Sequence, residues 1–224
     1  MSNANSNLNA FADAYGRRRY SILFYALFFT MVAAPVLSAL KLSGTLFESL
    51  VAASLLAAII PANSVKNRSL LLVLMMFAWL ARPLTDWLGH KALSAMTLGM
   101  WTLIGMFAAV SALRFAMGAT VVDAEHLYAA LSAYLLAGTC FGLLYWVVEQ
   151  ISSGTFAVTG QFSQTSAIYF SFVTLATLGY GDIAPRGDIA RGLAIVEGVG
   201  GQLFLAVLVA RLVSLYSKAG KQSD

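Results

Sequence analysis

The sequence predicts an all-α membrane protein with six transmembrane helices and a re-entrant short helix and loop between the last two. Three observations carry this prediction. Of the 224 residues, 59% are hydrophobic and only 11% are charged, whereas a soluble domain carries about a quarter charged residues. Long apolar runs recur along the chain. Between the last two runs, the segment TLATLGYGDIAP at residues 174–185 combines glycines, a tyrosine and an acid.

The apolar runs are numerous enough for six crossings, each of which needs about 20 helical residues at a rise of about 1.5 Å. The runs are Tyr20–Leu40, Leu46–Ile60, Ser69–Leu88, Ala92–Leu113, Leu127–Val148 and Ile189–Tyr216. The second is short because Pro61 closes it. The arginines before the first run resemble the start of a signal peptide, but the run continues without a convincing cleavage site. We therefore interpret it as a retained helix.

The basic residues predict the orientation. With the N-terminus in the cytoplasm, nine of the fourteen lie on the inner side: Arg17, Arg18, Arg19, Lys66, Arg68, Arg114, Arg211, Lys218 and Lys221. The other five lie outside: Lys41, Arg82, Lys91, Arg186 and Arg191. This bias predicts a multi-pass protein of the cell membrane with both termini cytoplasmic. It also explains the net charge of +4 without a nucleic-acid partner, for which no basic face or aromatic platform is visible.

The charged residues within the first four runs do not require a role in gating. Arg82 and Asp86 are four residues apart and would face each other on one helix. A gating or structural ion pair is one reading, but we favour a helix loosened at Pro83 with Arg82 reaching the outer interface. The fourth run carries only Arg114, at its inner end. Steep voltage sensing needs several such charges and is not expected.

Metal and catalytic sites are not expected either. Cys140 is the single cysteine, which excludes an intrachain disulfide. His90 and His126 lie far apart in the sequence and are better explained as interfacial residues than as metal ligands. Paired carboxylates on one span, a zinc-protease motif and a Ser/His/Asp set are all missing from the sequence, which disfavours a membrane enzyme.

The segment between the last two runs predicts the re-entrant element. Polar turn residues give way to TSAIYFSFVTLA, residues 165–176, which would form about 18 Å of helix and is too short to cross. The chain then reaches TLGYGD and Pro185, which cannot continue a helix. Non-helical backbone at membrane depth is tolerated only where it is buried in protein or lines a watery cavity.

The glycines predict a backbone that coordinates a cation. Successive carbonyls point the same way when backbone handedness alternates, and glycine adopts the positive-φ positions. Gly179 and Gly181 alternate in this manner. The carbonyls of Thr177, Leu178, Gly179 and Tyr180, with the Thr177 hydroxyl, would form stacked oxygen rings that replace the water of K⁺.

TLATLGYGD resembles the signature of potassium channels, and Leu127–Tyr216 resembles their pore module of outer helix, pore helix, filter and inner helix. The resemblance implies that Thr177–Gly181 is the K⁺ selectivity filter and that Tyr169–Ala176 ends the pore helix. It also implies that Asp182 lies at the extracellular mouth, where it gathers cations. One pore loop per chain supplies a quarter of a four-fold filter, so we expect a homotetramer in the lipid bilayer.

The sequence departs from the common pattern around the filter. Leu178 replaces a valine and Ala176 a frequent threonine, which leaves the carbonyls in place. Val173 replaces a glutamate that some prokaryotic channels place behind the filter. Phe170 replaces a tryptophan and cannot donate to the Tyr180 hydroxyl. The filter supports in this chain are therefore expected to be Phe170, Val173, Thr174 and Glu197.

Three residues of the inner helix leave alternatives open. Gly201 stands where many potassium channels have a glycine hinge, so it is a candidate gating hinge, and the nearby Gly198 is a second candidate. Close helix packing through small residues is the other reading. Glu197 lies one turn before Gly201 and either faces the cavity or braces the back of the pore helix.

The predicted organisation divides the chain into five parts. A cytoplasmic tail (1–19) precedes a four-helix transmembrane domain (20–113), a linker (114–126), the pore domain (127–216) and a short cytoplasmic tail (217–224) without a soluble regulatory domain. The predicted function is passive, K⁺-selective conduction without enzymatic activity. A membrane subunit of a K⁺ uptake transporter and a weakly selective cation channel are the alternatives, and the intact Gly-Tyr-Gly in a single loop disfavours both.

Overall fold

A computed structural model describes residues 18–39, 49–54, 73, 76–77, 79–81, 91–118 and 123–220. Its elements are α1 (Arg19–Ala39), α2 (Lys91–Gly118), α3 (Ala124–Ile151), β1 (Phe156–Val158), α4 (Gln164–Leu175), β2 (Ile183–Pro185) and α5 (Asp188–Gly220). Residues 49–54 are also helical. The prediction of a mostly helical membrane protein is confirmed.

Among the described residues, three helices are long and apolar enough to cross a membrane: Leu93–Gly118, Ala124–Ile151 and Asp188–Ser214. They correspond to the fourth, fifth and sixth predicted spans. The first predicted span coincides with α1, in which Arg19–Ala33 forms a shorter apolar helix. Most of the second and third predicted spans lie outside the described residues, as do Arg82, Asp86 and His90. The six-span count therefore stays a prediction.

The predicted linker at 114–126 is helical at both ends, since α2 runs to Gly118 and α3 begins at Ala124. Asp123 explains this early start, because its side chain accepts the His126 N–H at 3.0 Å and caps α3. This backbone hydrogen bond holds the pKa of the Asp123 carboxyl below its usual range. The predicted tail at 217–224 likewise begins as helix, because α5 continues to Gly220.

The first helix is fixed to the N-terminal end of the fifth predicted span. The Glu125 carboxylate, in the first turn of α3, accepts the Tyr20 N–H at 2.9 Å and the Ser21 N–H at 3.3 Å. These N–H groups begin α1 and have no partner within their own helix. A carboxylate is also favourable at a helix N-terminus because of the helix dipole. Glu125 therefore docks α1 on α3.

Two glycines on α3 receive the short helix α4. A Cβ added at Gly142 would lie 2.6 Å from Cα of Ile168, and one added at Gly138 would lie 2.6 Å from the Phe172 ring. Gly138 and Gly142 are four residues apart and therefore lie on one face of α3. They form a groove of the small-xxx-small kind that lets two helices approach closely within a membrane.

A two-stranded sheet joins the segments on either side of α4. β1 and β2 pair in antiparallel fashion, with Ala157 opposite Ala184. The Thr155 carbonyl extends the pairing by accepting the N–H groups of Arg186 and Gly187 at 2.7 and 3.1 Å. The sequence predicts turns before α4 and no strands, because each strand has only three residues, too few for a period-two pattern.

We predict that Gly142→Ala destabilises the fold by about 1–3 kcal/mol, because the new Cβ meets the Ile168 backbone, which cannot rotate away. The measurement is the thermal unfolding midpoint of the purified protein in detergent. Gly99→Ala is the matched control, since nothing lies within 4 Å of its added Cβ and alanine is the better helix former. Equal midpoints for the two variants would contradict the close approach of α3 and α4.

Candidate functional site

The site is the loop of residues 176–182, which follows α4. The helix begins after Ser163, whose side chain accepts the Ser166 N–H at 3.1 Å as an N-cap. It ends at Leu175 after 12 residues, which corresponds to about 18 Å. The helix α4 is therefore too short to cross a membrane, and its C-terminal end leads directly into the Gly-Tyr-Gly segment.

Hydrogen bonds at the end of α4 set the direction of the loop. Thr177 N–H donates to the Thr174 carbonyl at 3.0 Å. The Val173 carbonyl accepts two N–H groups, from Leu178 at 2.9 Å and from Gly179 at 3.4 Å. In a planar trans peptide, the N–H and the preceding carbonyl point in opposite directions. The carbonyls of Ala176, Thr177 and Leu178 therefore point away from α4.

The backbone handedness alternates along this loop. Positive φ angles occur at Thr177 (57°), Gly179 (55°) and Gly181 (79°). The sequence predicts positive φ at the two glycines but not at Thr177. A β-branched residue in the left-handed region costs about 1–2 kcal/mol, and Thr177 is the one non-glycine residue with positive φ in the described part of the chain. Such backbone strain is typical of functional sites, where the side chain itself is needed.

The loop is uncovered in a single chain. Residues 176–182 are all exposed, and Leu178 and Tyr180 are 55% and 66% exposed. The helix α5 shares this property. In α2 and α3, half of the most apolar stretch is buried within the chain. In α5, only 11% of the corresponding stretch is buried. Apolar residues such as Ile195, Val199 and Leu203 are accordingly exposed on α5.

The acid after the glycines lies at the open end of the loop. Asp182 is exposed. The Tyr169 hydroxyl hydrogen-bonds to the Asp182 carboxylate, and this bond raises the pKa of the Tyr169 phenol. Tyr169 is on α4, so the loop is connected to α4 beyond the glycines as well as before them.

The predicted support residue Phe170 lies in a buried aromatic cluster. Its ring packs edge-on against Tyr145, with centroids 4.9 Å apart, and against Phe156, with centroids 5.3 Å apart. Phe156 in turn stacks on Phe162 at 4.4 Å. The cluster joins α3, β1 and α4. Because phenylalanine has no side-chain hydrogen-bond donor, Phe170 supports α4 through packing alone.

Of the other predicted support residues on α4, Val173 packs inside the chain and Thr174 lies near α5. Val173 is buried, and its carbonyl holds the loop as described above. A Cβ added at Gly201 would lie 2.7 Å from Cδ1 and 3.1 Å from the carbonyl oxygen of Leu175. Gly198 is less crowded, with Thr174 Cγ2 at 3.9 Å from an added Cβ. On α3, the Tyr134 hydroxyl donates to the same Leu175 carbonyl at 3.2 Å.

Glu197 is 1% exposed and faces α3 and α4. Its Oε2 accepts the Tyr145 hydroxyl at 2.6 Å, and its Oε1 is hydrogen-bonded to Ser171 Oγ. Ser171 Oγ also lies 2.6 Å from the Gly138 carbonyl oxygen. Glu197 therefore connects three helices behind the loop.

Several residues of this site were missed by the sequence analysis. Gly138 and Gly142 carried a signal, since a Gly-xxx-Gly pattern in an apolar run indicates helix packing. Tyr145 and Ser171 carried none, because no pattern pairs them with an acid 52 and 26 residues away. The described residues contain no cluster of three His, Cys, Asp or Glu side chains suited to a metal ion, and Cys140 is buried with a free thiol.

The part of the chain that contains this site is similar to known proteins. Residues 129–218 match a family model described as "Ion channel". An 89-residue stretch is 33% identical to the inward rectifier potassium channel Kirbac3.1 of Paramagnetospirillum magnetotacticum, covering 38% of this chain and 28% of that protein. An 84-residue stretch is 40% identical to two-pore potassium channel 4 of Arabidopsis thaliana, covering 38% of this chain and 27% of that protein. The match thus spans little more than a quarter of either relative. No solved structure matches the chain significantly.

We predict that Gly201→Ala destabilises the protein by about 1–3 kcal/mol, because the added methyl group meets the end of α4. A residue that acted as a hinge alone would leave the unfolding midpoint unchanged or raise it, since alanine favours helix. The measurement is thermal unfolding in detergent, with Gly192→Ala on the same helix as the control, where an added Cβ meets nothing within 4 Å. A midpoint no lower than that of the control would exclude the packing role.

Proposed function

We propose that this protein is a potassium-selective channel that conducts K⁺ passively through a filter formed by Thr177–Gly181. The observation that carries the proposal is the direction of the loop: its N–H groups bond to α4 and its first carbonyls point away from α4. Backbone carbonyls that face a common axis replace the hydration shell of a cation. Potassium enters the proposal from the Gly-Tyr-Gly sequence and from the two potassium channels matched above.

Each residue of the loop has a proposed role. K⁺ is coordinated by the Thr177 hydroxyl and by the carbonyls of Thr177, Leu178, Gly179 and Tyr180. The need for this hydroxyl explains why position 177 is a threonine with a strained backbone and not a glycine. Asp182, exposed beyond the glycines, attracts cations to the extracellular mouth. The remaining proposed residues support α4, and they are Phe170, Val173, Thr174, Glu197, Gly198 and Gly201.

The proposed assembly is a homotetramer in the cell membrane, with both termini cytoplasmic. One chain supplies one loop, and a cage of oxygens around an ion requires loops from several sides. The bare loop and the largely unburied α5 support this assembly, because four inner helices around an axis would cover both. The single arginine at the inner end of α2, Arg114, supports conduction without steep voltage sensing.

The function is tested by ion flux into liposomes that contain the purified full chain, with K⁺ or Na⁺ as the permeant ion. The proposal expects K⁺ flux and little Na⁺ flux. Equal flux of both ions would indicate a weakly selective cation channel. A chain that conducts neither ion alone would contradict the channel proposal and favour a subunit of a K⁺ uptake transporter.

In the same assay, Gly179→Ala is expected to abolish selective K⁺ flux. The added Cβ has open space, so the effect comes from the positive φ alone, which disfavours any side chain. Gly154→Ala is the matched control: Gly154 also has a positive φ (83°) and open space, but it lies in the turn after α3. The control is expected to keep its K⁺ preference. Unchanged K⁺ flux in Gly179→Ala would refute the proposed filter.

We further predict four chains per particle in detergent, measured by native mass spectrometry and by the ladder of products after chemical cross-linking. A four-fold filter admits no other number with one loop per chain. A ladder that ends at dimers or trimers, or a mass that corresponds to fewer than four chains, would exclude the proposed assembly.

A further inference from the structure

We infer that Glu197 is a neutral carboxylic acid whose proton completes a hydrogen-bonded link between α3, α4 and α5, and that this link positions the end of α4. The effect on conduction rests on the function proposed above, but the protonation itself does not. Three hydrogen bonds meet at Glu197 and Ser171: from Tyr145 Oη to Glu197 Oε2, between Glu197 Oε1 and Ser171 Oγ, and between Ser171 Oγ and the Gly138 carbonyl.

The number of protons in this link requires one on Glu197. Tyr145 supplies the proton of the first bond. Ser171 has one hydroxyl proton for two neighbours, Glu197 Oε1 and the Gly138 carbonyl, both of which are acceptors when Glu197 is ionised. A protonated Glu197 removes this conflict, because Oε1–H donates to Ser171 Oγ and Ser171 O–H donates to Gly138. Every link then has one proton.

The surroundings of Glu197 also favour the neutral form. Its side chain is 1% exposed, and no basic side chain among the described residues forms an ion pair with it. A buried carboxylate without a counter-charge costs several kcal/mol and generally takes up a proton instead.

Among the described residues, the groups that face Glu197 from the packed helices do not supply a charge. On α3 they are Tyr145, which is bonded to it, and Tyr134, a neutral phenol whose hydroxyl donates to the Leu175 carbonyl. On α4 the facing group is the Ser171 hydroxyl. On α5 itself, Arg191 and Asp188 lie together at the exposed outer end of the helix.

The link acts on the loop through α4. Ser171 precedes by two residues Val173, whose carbonyl holds the N–H groups of Leu178 and Gly179. Holding Ser171 against Gly138 therefore fixes the helix end from which the carbonyls of the loop are directed. Loss of the Glu197 proton would place a buried charge there and break one of the two Ser171 bonds. We expect K⁺ flux to fall at alkaline pH for this reason.

The first test is infrared spectroscopy of the full chain in liposomes at a pH of about 7, at which exposed carboxyl groups are ionised. The inference expects the carbonyl stretch of a protonated carboxylic acid, and it expects Glu197→Gln to remove that band. A spectrum without the band, or a band that persists in Glu197→Gln, would overturn the inference. This readout does not depend on conduction, so it decides the protonation even if the channel proposal fails.

The second test compares K⁺ flux in two variants between a pH of about 6 and about 10, a range that includes the documented titration of buried glutamates. Glu197→Gln is neutral and has nearly the same shape; its carbonyl accepts from Tyr145 and its amide donates to Ser171. Flux near neutral pH is expected within about twofold of the native protein, without the alkaline decrease. Glu197→Ala is expected to lose about tenfold, the effect of about 1.4 kcal/mol.

The flux results also have outcomes that contradict the positioning role. If Glu197→Gln loses as much flux as Glu197→Ala near neutral pH, the native residue acts as a charged carboxylate. If the native protein and Glu197→Gln have the same pH profile, the proton on Glu197 does not position α4. Ser171→Ala serves as an independent variant, and it is expected to reduce flux and to abolish the difference between the native and Glu197→Gln pH profiles.

Discussion

The backbone of residues 176–182 has to be satisfied without a helix or a sheet, and the carbonyl groups at the end of α4 make this possible. The last carbonyls of any helix have no partner within it. Here the Val173 and Thr174 carbonyls accept the N–H groups of the following loop. One set of bonds therefore satisfies both the helix end and the loop. Because each peptide is planar, the same bonds also direct the loop carbonyls away from the helix.

The position of α4 therefore determines the direction of the loop, and the contacts of α4 explain how that position is fixed. Gly138 and Gly142 let the α3 backbone approach α4 closely. The Leu175 carbonyl accepts the Tyr134 hydroxyl, and Glu197 connects α5 to Ser171. These contacts come from two flanking helices and converge within two turns of α4. The end of α4 is thus held by groups that come from neighbouring helices.

The sequence predicted those features that local patterns determine. The Gly-Tyr-Gly segment, the short helix before it and the long flanking helices follow from apolar length and from the conformational freedom of glycine, and the structure has helices in these places. Contacts between distant residues were not predictable in this way. Nothing local pairs Tyr145 with Glu197, and the strands β1 and β2 are too short for a pattern. The positive φ of Thr177 was missed because threonine, taken alone, disfavours it.

The contact at Gly201 bears on the choice between hinge and packing, because a bend of α5 would change it. Gly201 lies against the carbonyl oxygen of Leu175, the group that also accepts the Tyr134 hydroxyl. Glu197, one turn earlier on α5, reaches the same helix. A bend between these two contacts would move one relative to the other and displace the end of α4. A bend of α5 at Gly201 would therefore also disturb the helix end from which the loop carbonyls are directed.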